Sequence, residues 1–323
     1  MKQQDFENRY KQQWQQFENL LAFIHEKKAS EEDLAEFTPL YRRMCQFSSL
    51  SKERKYSPHL VDYLNDLVLQ GHQKLYTKKS SLTLNIIRFV VADFPITMRE
   101  NQVYFWLAAA LLYLPMLVMG LLVYFNAELI FSVMPADQVS SVESMYDPAT
   151  RVLGREREAD TDILMFGFYI KNNIGIGFRT FASGILFGLG SLFFLIYNGV
   201  SIGATAGHLT HLGYTETFYP FVVGHSSFEL TAIAISGAAG LLLGWALIAP
   251  GQLTRLDSLR QAAKIAIKLV YGVILMLIIA AFLEAFWSSN TSIPITVKYS
   301  VGAMFWGLII VYFLYSGRRK DWT

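Results

Sequence analysis

The side chains with the most chemical reach lie in the second half of the chain: His225, Glu229 and Glu284. His225 and Glu229 stand four residues apart, so a helix brings both to one face. Glu284 sits within the apolar run 278–286. An ionised carboxylate at the centre of a bilayer costs about 3 kcal/mol or more, so such a group faces inward, pairs or takes up a proton. Asn172, Asn173 and Asn198 also lie in or beside apolar sequence and add amide donors and acceptors. This set suits a fold-defining hydrogen-bond network, a proton or ion site, or a metal centre that His208 and His211 would join. The run His225-Ser226-Ser227-Phe228-Glu229 lacks the second histidine of the His-Glu-x-x-His signature. No Ser–His–Asp elbow, phosphate-binding loop or dinucleotide fingerprint occurs either. No catalytic residue, metal ligand set or cofactor is assigned on this reading, and an enzyme is not expected. The lone cysteine, Cys45, can form neither an intrachain disulfide nor a multi-cysteine metal site.

Positioning these groups falls to helices in lipid. The chain has 323 residues, of which 53% are apolar and 17% charged, with a formal net charge of +2. Charge is concentrated in residues 1–80, which marks a small water-soluble zone ahead of a lipid-embedded one. The near-neutral balance gives nucleic acid no footing as a partner. The polar start, Met1-Lys2-Gln3-Gln4-Asp5, has no apolar leader. A crossing needs about 20 mostly apolar residues, and residues 103–125, 179–197, 265–286 and 297–315 qualify. Residues 199–249 form a longer apolar stretch, interrupted by the polar segment 208–217 and by Pro220, which reads as two crossings or as a broken or re-entrant pair. The fold class is therefore all-α: a polytopic helical membrane protein with a transmembrane domain over 101–317.

Orientation follows the positive charges near span ends. Lys74, Lys78, Lys79, Arg88 and Arg99 precede the first span, and Arg255, Arg260 and Lys264 precede the fourth apolar stretch. Arg318, Arg319 and Lys320 open the short tail 318–323. These ends are expected in the cytoplasm, whereas the acidic connection 126–162 is expected outside. An even number of crossings satisfies all of these assignments. Five spans with an external C-terminus is the alternative.

In the soluble zone, Phe6, Tyr10, Trp14, Phe17, Leu21 and Ile24 recur at steps of three and four, one stripe of an α-helix. Ser30 ahead of Glu31, Glu32 and Asp33 suits a helix start. The second helix is expected to reach about Phe47, kinked or divided by Pro39. Pro58 suits the first turn of a third helix. Three such stripes can bury one another as a bundle over residues 1–80, serving packing or docking. Residues 81–100 are apolar but flanked by Lys79, Arg88 and Arg99. They read either as an amphipathic helix at an anionic lipid surface or as a fourth helix of the bundle.

Gly184 and Gly188, Gly199, Gly203 and Gly207, Gly237, Gly240 and Gly244 repeat small residues at helical spacing. That pattern lets backbones approach closely, within the chain or between two copies in a homodimer.

Gly224-His225-Ser226-Ser227-Phe228-Glu229-Leu230, the later Gly237-Ala238-Ala239-Gly240 and Pro250-Gly251 together resemble the core of the stage II sporulation protein M family. Asn172-Asn173, Asn198-Gly199, and Glu284-Ala285-Phe286 are similar to that family's motifs, and the likeness extends to Tyr63-Leu64-Asn65 near the N-terminus. Ser226 departs from the glycine usual there. The resemblance implies a protein of the bacterial cytoplasmic membrane acting in a cell-envelope assembly such as peptidoglycan remodelling, as a scaffold with lipid, envelope proteins and a second copy as partners. The other class left open by the residues is a proton- or ion-coupled transporter, channel or lipid-handling protein built on His225, Glu229 and Glu284.

Overall fold

The computed structural model describes residues 1–25, 31–76, 82–150 and 161–318. Ser30, Lys78, Lys79, Glu156, Glu158, Asp160, Arg319 and Lys320, on which parts of the sequence reading rest, fall outside them. The described residues hold helices and no strand, and they divide into two compact units, Met1–Leu82 and Thr83–Thr323.

The first unit is a bundle of α1 (Gln3–His25), α2 (Glu31–Glu53) and α3 (Pro58–Tyr76). The α1 stripe is its core: Phe6, Trp14, Phe17, Leu20 and Leu21 are buried with Phe37, Leu40 and Met44 of α2 and Leu60, Leu64 and Leu67 of α3. Pro39 lies inside α2 without dividing it, and α2 continues past Phe47 to Glu53. Lys55, with φ of 54°, then turns the chain. The Gln3 amide donates to Ser57 Oγ at 2.9 Å and accepts from the Ser57 backbone at 2.9 Å, which ties the start of α1 to the start of α3.

The second unit is a bundle of long helices. Among the described residues, five are long and apolar enough to cross a membrane: α6 (Gln102–Phe125), α9 (Leu189–His211), α10 (Thr215–Ile248), α11 with its continuation (Arg255–Ser288) and α12 (Ile295–Tyr315). Two short helices precede them, α4 (Leu82–Arg88) and α5 (Phe94–Glu100), joined by a π-helical turn at Phe89–Asp93. Residues 126–150 carry α7 (Ala136–Tyr146), and α8 (Thr161–Ala182) comes later in the chain. α8 is more polar than the five, through Lys171, Asn172, Asn173 and Arg179. It nevertheless traverses the bundle, from Phe166 beside Phe282 and Phe286 to Thr180, whose carbonyl accepts from Ser191 Oγ.

Helix directions can be read from the contacts. Gly199, Gly203 and Gly207 meet Leu112, Met116 and Gly120 in step, so α6 and α9 run parallel. The Arg99 guanidinium donates to the Phe313 and Ser316 carbonyls, so the start of α6 and the end of α12 share one end of the bundle. With α8 counted beside the five, six helices among the described residues run the length of the bundle.

Helix bounds differ from the sequence expectation in three places. The apolar stretch 179–197 is not one helix: α8 ends at Ala182, a 3-10 turn covers Ser183–Ile185, and α9 starts at Leu189. Phe187 (φ 54°) and Gly188 (φ 81°) take the left-handed conformation that closes this corner. Residues 199–249 belong to two full-length helices rather than a re-entrant pair, with Gly213 (φ 81°) between them and Pro220 inside α10. Residues 81–100 also divide. Leu84, Ile86 and Ile87 stay exposed, whereas Phe94, Pro95, Thr97 and Met98 are buried in the second unit, with Phe94 beside Tyr312 and Phe313.

α10 is the central helix. A helix that is apolar on all sides seeks burial on all sides, and α10 buries one residue after another from Thr231 through Gly240.

Candidate functional site

Three elements bring the ionisable side chains together. α10 carries His225 and Glu229 on one face, one turn apart. α11 ends at Phe282 and continues as a π-helical turn over Leu283–Ser288, which carries Glu284. A π-helical turn accommodates one extra residue and redirects the side chains beyond it, and such turns recur at functional sites. α8 supplies Asn173 from the third side, its neighbour Tyr169 packing on Ala281 and Ala285.

The ligand-type atoms of His225, Glu229 and Glu284 all lie within 4.8 Å of one another. His225 is buried, and its Nδ1 is 3.1 Å from Ser288 Oγ. Its Nε2 faces Glu229 Oε2 at 3.9 Å. Asn173 Nδ2 donates to Glu284 Oε2 at 3.4 Å, and Asn172 Nδ2 donates to Asn173 Oδ1 at 3.1 Å. Gly224, just before His225, leaves room for the Trp287 ring; a Cβ there would lie 2.8 Å from it. Two carboxylates no more than 4.8 Å apart repel by at least about 3 kcal/mol at an effective dielectric near 20. A proton, a cation or the imidazolium must offset that repulsion when both are ionised.

Two further groups belong to this region. Lys298 of α12 is buried, and its Nζ donates to the Ser288 carbonyl at 2.6 Å. Tyr146, at the end of α7, packs edge-on against Phe218 and Phe221, and Phe221 packs in turn on the His225 ring. Burial pushes the Tyr146 phenol well above its ordinary pKa, and the nearby Glu284, Tyr169 and Glu229 push it further. Sequence reading missed both. Lys298 had a signal, since an ionisable residue inside a span is a site candidate by default. Tyr146 had none, being one aromatic residue of a long polar connection.

The other expected residues stand apart from the cluster. Asn198 Nδ2 donates to the Phe194 carbonyl of its own helix at 2.6 Å. His208 and His211 lie in the last turn of α9, His208 buried and His211 exposed. His208 is buried near the end of α9, with Nε2 2.7 Å from Glu143 Oε1, and His211 Nδ1 is 2.8 Å from the Tyr124 carbonyl. Both anchor the connection 126–150 and the end of α6.

The glycines are seams within the chain. Gly199, Gly203 and Gly207 touch the α6 backbone, Gly184 meets Gly240, Gly244 meets Gly188, and Gly237 abuts Leu195.

Residues 109–289 match the family model described as Stage II sporulation protein M. That range takes in every residue of the cluster and all the seam glycines, and it stops short of Lys298. Residues 4–77 match a separate model described as Domain of unknown function (DUF8413). The N-terminal helices, to which the sequence likeness extended, thus fall outside the first match. No curated protein and no solved structure matches the chain.

Proposed function

Since the chain belongs to the stage II sporulation protein M family, we propose that it works as a membrane-embedded scaffold of a cell-envelope assembly. It is a multi-pass helical membrane protein. The observation that supports a scaffold is the α6–α9 seam. At three successive turns, backbone meets backbone through Gly199, Gly203 and Gly207, with no side chain between. Helices locked in this way at several levels suit a fixed platform better than elements that must part in a transport cycle. The first unit then offers its polar outer faces to partners. On this reading the protein lies in the cytoplasmic membrane with both termini in the cytoplasm, and it pairs as a homodimer through lipid-facing surface rather than through the seams.

The cluster of His225, Glu229 and Glu284 supports a second reading, proton or ion coupling, because ionisable groups within spans often mark ion paths. Purified protein in sealed vesicles separates the two. A scaffold gives no uptake of protons or divalent ions above empty vesicles, and in its own host its loss disturbs the pattern of new peptidoglycan. Flux in wild type that Glu229→Gln silences, with the fold intact, would sink the scaffold reading. Orientation is tested by Cys45, the half-exposed single thiol of the first unit. A membrane-impermeant maleimide should label it only after the cells are permeabilised.

A further inference from the structure

We propose that His225, Glu229 and Glu284 form a binding site for one divalent transition-metal ion of the zinc class. The proposal goes beyond the scaffold reading and does not depend on it.

Donor chemistry comes first. One imidazole nitrogen and two carboxylates are zinc ligands, and three protein ligands leave a position open for water or another oxygen. Calcium and magnesium favour all-oxygen shells of six or more ligands, so the nitrogen tilts the set toward a transition metal.

Spacing comes second. The 3.9 Å between His225 Nε2 and Glu229 Oε2 is too long for a hydrogen bond. Metal–ligand bonds of about 2.0–2.2 Å place two tetrahedral ligands roughly 3.4 Å apart. The three donor atoms all lie within 4.8 Å of one another, and the His225–Glu229 pair is near the spacing that a shared ion imposes.

The outer contacts are a third argument. Metal-binding imidazoles direct their second nitrogen to a fixed partner, and ligating carboxylates are themselves hydrogen-bonded. His225 Nδ1 faces Ser288 Oγ at 3.1 Å, which leaves Nε2 toward the carboxylates, and Asn173 donates to Glu284 Oε2 at 3.4 Å. Lys298 holds the Ser288 carbonyl, fixing the π-helical turn that carries both Glu284 and Ser288. By contrast, among the described residues His208 meets one carboxylate, Glu143, and its other nitrogen is buried without a hydrogen-bond partner.

The test uses the full chain in detergent, stripped with a chelator and titrated with zinc alone. Wild type should bind one equivalent, and X-ray absorption should show one imidazole nitrogen with oxygen ligands. The double variant Glu229→Gln with Glu284→Gln should lose more than about 100-fold in affinity, and Ser288→Ala about 10- to 100-fold, the usual effect of removing an outer partner. His208→Ala should bind as wild type does. No binding by wild type, a shell of several imidazoles or of sulfur, or full retention by the double variant would each overturn the site. If the double variant fails to fold, the wild-type spectrum still decides.

Discussion

A single methyl group added at Gly203 tests whether the α6–α9 seam holds the membrane unit together. A Cβ at that position would press on the Met116 carbonyl oxygen and lie 2.9 Å from Met116 C and Cα. Ordinary contact begins near 3.4 Å, so the two helices must part by at least 0.5 Å (3.4 minus 2.9). The obstacle is backbone, which cannot swing aside as a side chain can. Gly199 and Gly207 lie one turn away on either side, so parting at the centre loosens contacts at three levels. Overpacking of this kind costs about 1–3 kcal/mol, and for a unit of this size each kcal/mol lowers the thermal midpoint by roughly 2–4 °C. Gly203→Ala should therefore lower the midpoint of detergent-purified protein by about 2–12 °C. Gly175→Ala and Gly307→Ala, where an added Cβ has nothing within 4 Å, serve as controls. Their midpoints should stay level or rise, because alanine favours a helix by about 0.5–1 kcal/mol over glycine. An unchanged midpoint for Gly203→Ala beside these controls would show that the seam is not tight, and the argument for a rigid platform would fall with it.

Three other outcomes are expected. Phe94→Ala removes a buried ring that packs on Tyr312 and Phe313 and against Gly272, and should cost about 3–5 kcal/mol, read as loss of folded protein in a thermal or denaturant series. His208→Ala breaks a 2.7 Å contact with the half-exposed Glu143; at about 1 kcal/mol it should hasten protease cleavage in the connection 126–150 while leaving the overall midpoint close to wild type. Tyr63 is held up to about 12 by burial and by neighbouring Glu18. Its folded pKa exceeds the unfolded value, so its contribution is complete below about pH 10 and is lost as pH rises toward 12. Phenolate absorbance should report that late ionisation, and Tyr63→Phe should flatten the alkaline loss of stability of the first unit.

What could be read in the sequence was what periodicity and apolarity encode. The stripe from Phe6 to Leu21 specified both a helix and its buried face, because those residues have nowhere to go but one another. Apolarity placed α6 and α12 nearly to their ends. It did not place the corner at 183–188, where Ile185, Leu186 and Phe187 are as lipid-compatible as any span. Apolarity reports depth in the membrane, whereas the corner depends on two left-handed backbone angles at Phe187 and Gly188. The candidate site was half legible. His225 and Glu229 declare their shared face by a spacing of four, but Glu284 meets them only because the backbone changes from α to π geometry at Leu283, an alteration that no local residue type announces. Ser288 was invisible for the same reason, since its hydroxyl reaches His225 only within that turn.

The seams and the polar cluster answer to one helix, and this relation explains why both survive in lipid. α10 presents Gly237, Gly240 and Gly244 toward Leu195, the α8 end and the corner at Gly188, while the half before them presents His225 and Glu229 toward the π-helical turn. Without a hydrophobic drive between helices in a bilayer, association rests on close packing and polar contacts. The glycine half supplies the first and excludes lipid from around α10. That exclusion in turn makes the polar cluster tolerable, because Glu229 faces His225 and Glu284 faces Asn173 rather than hydrocarbon. Opening the seam should therefore weaken the cluster from a distance, and zinc affinity in Gly240→Leu is where the two halves would be seen to depend on each other: retained affinity in a loosened bundle would show that they are separate devices on one helix.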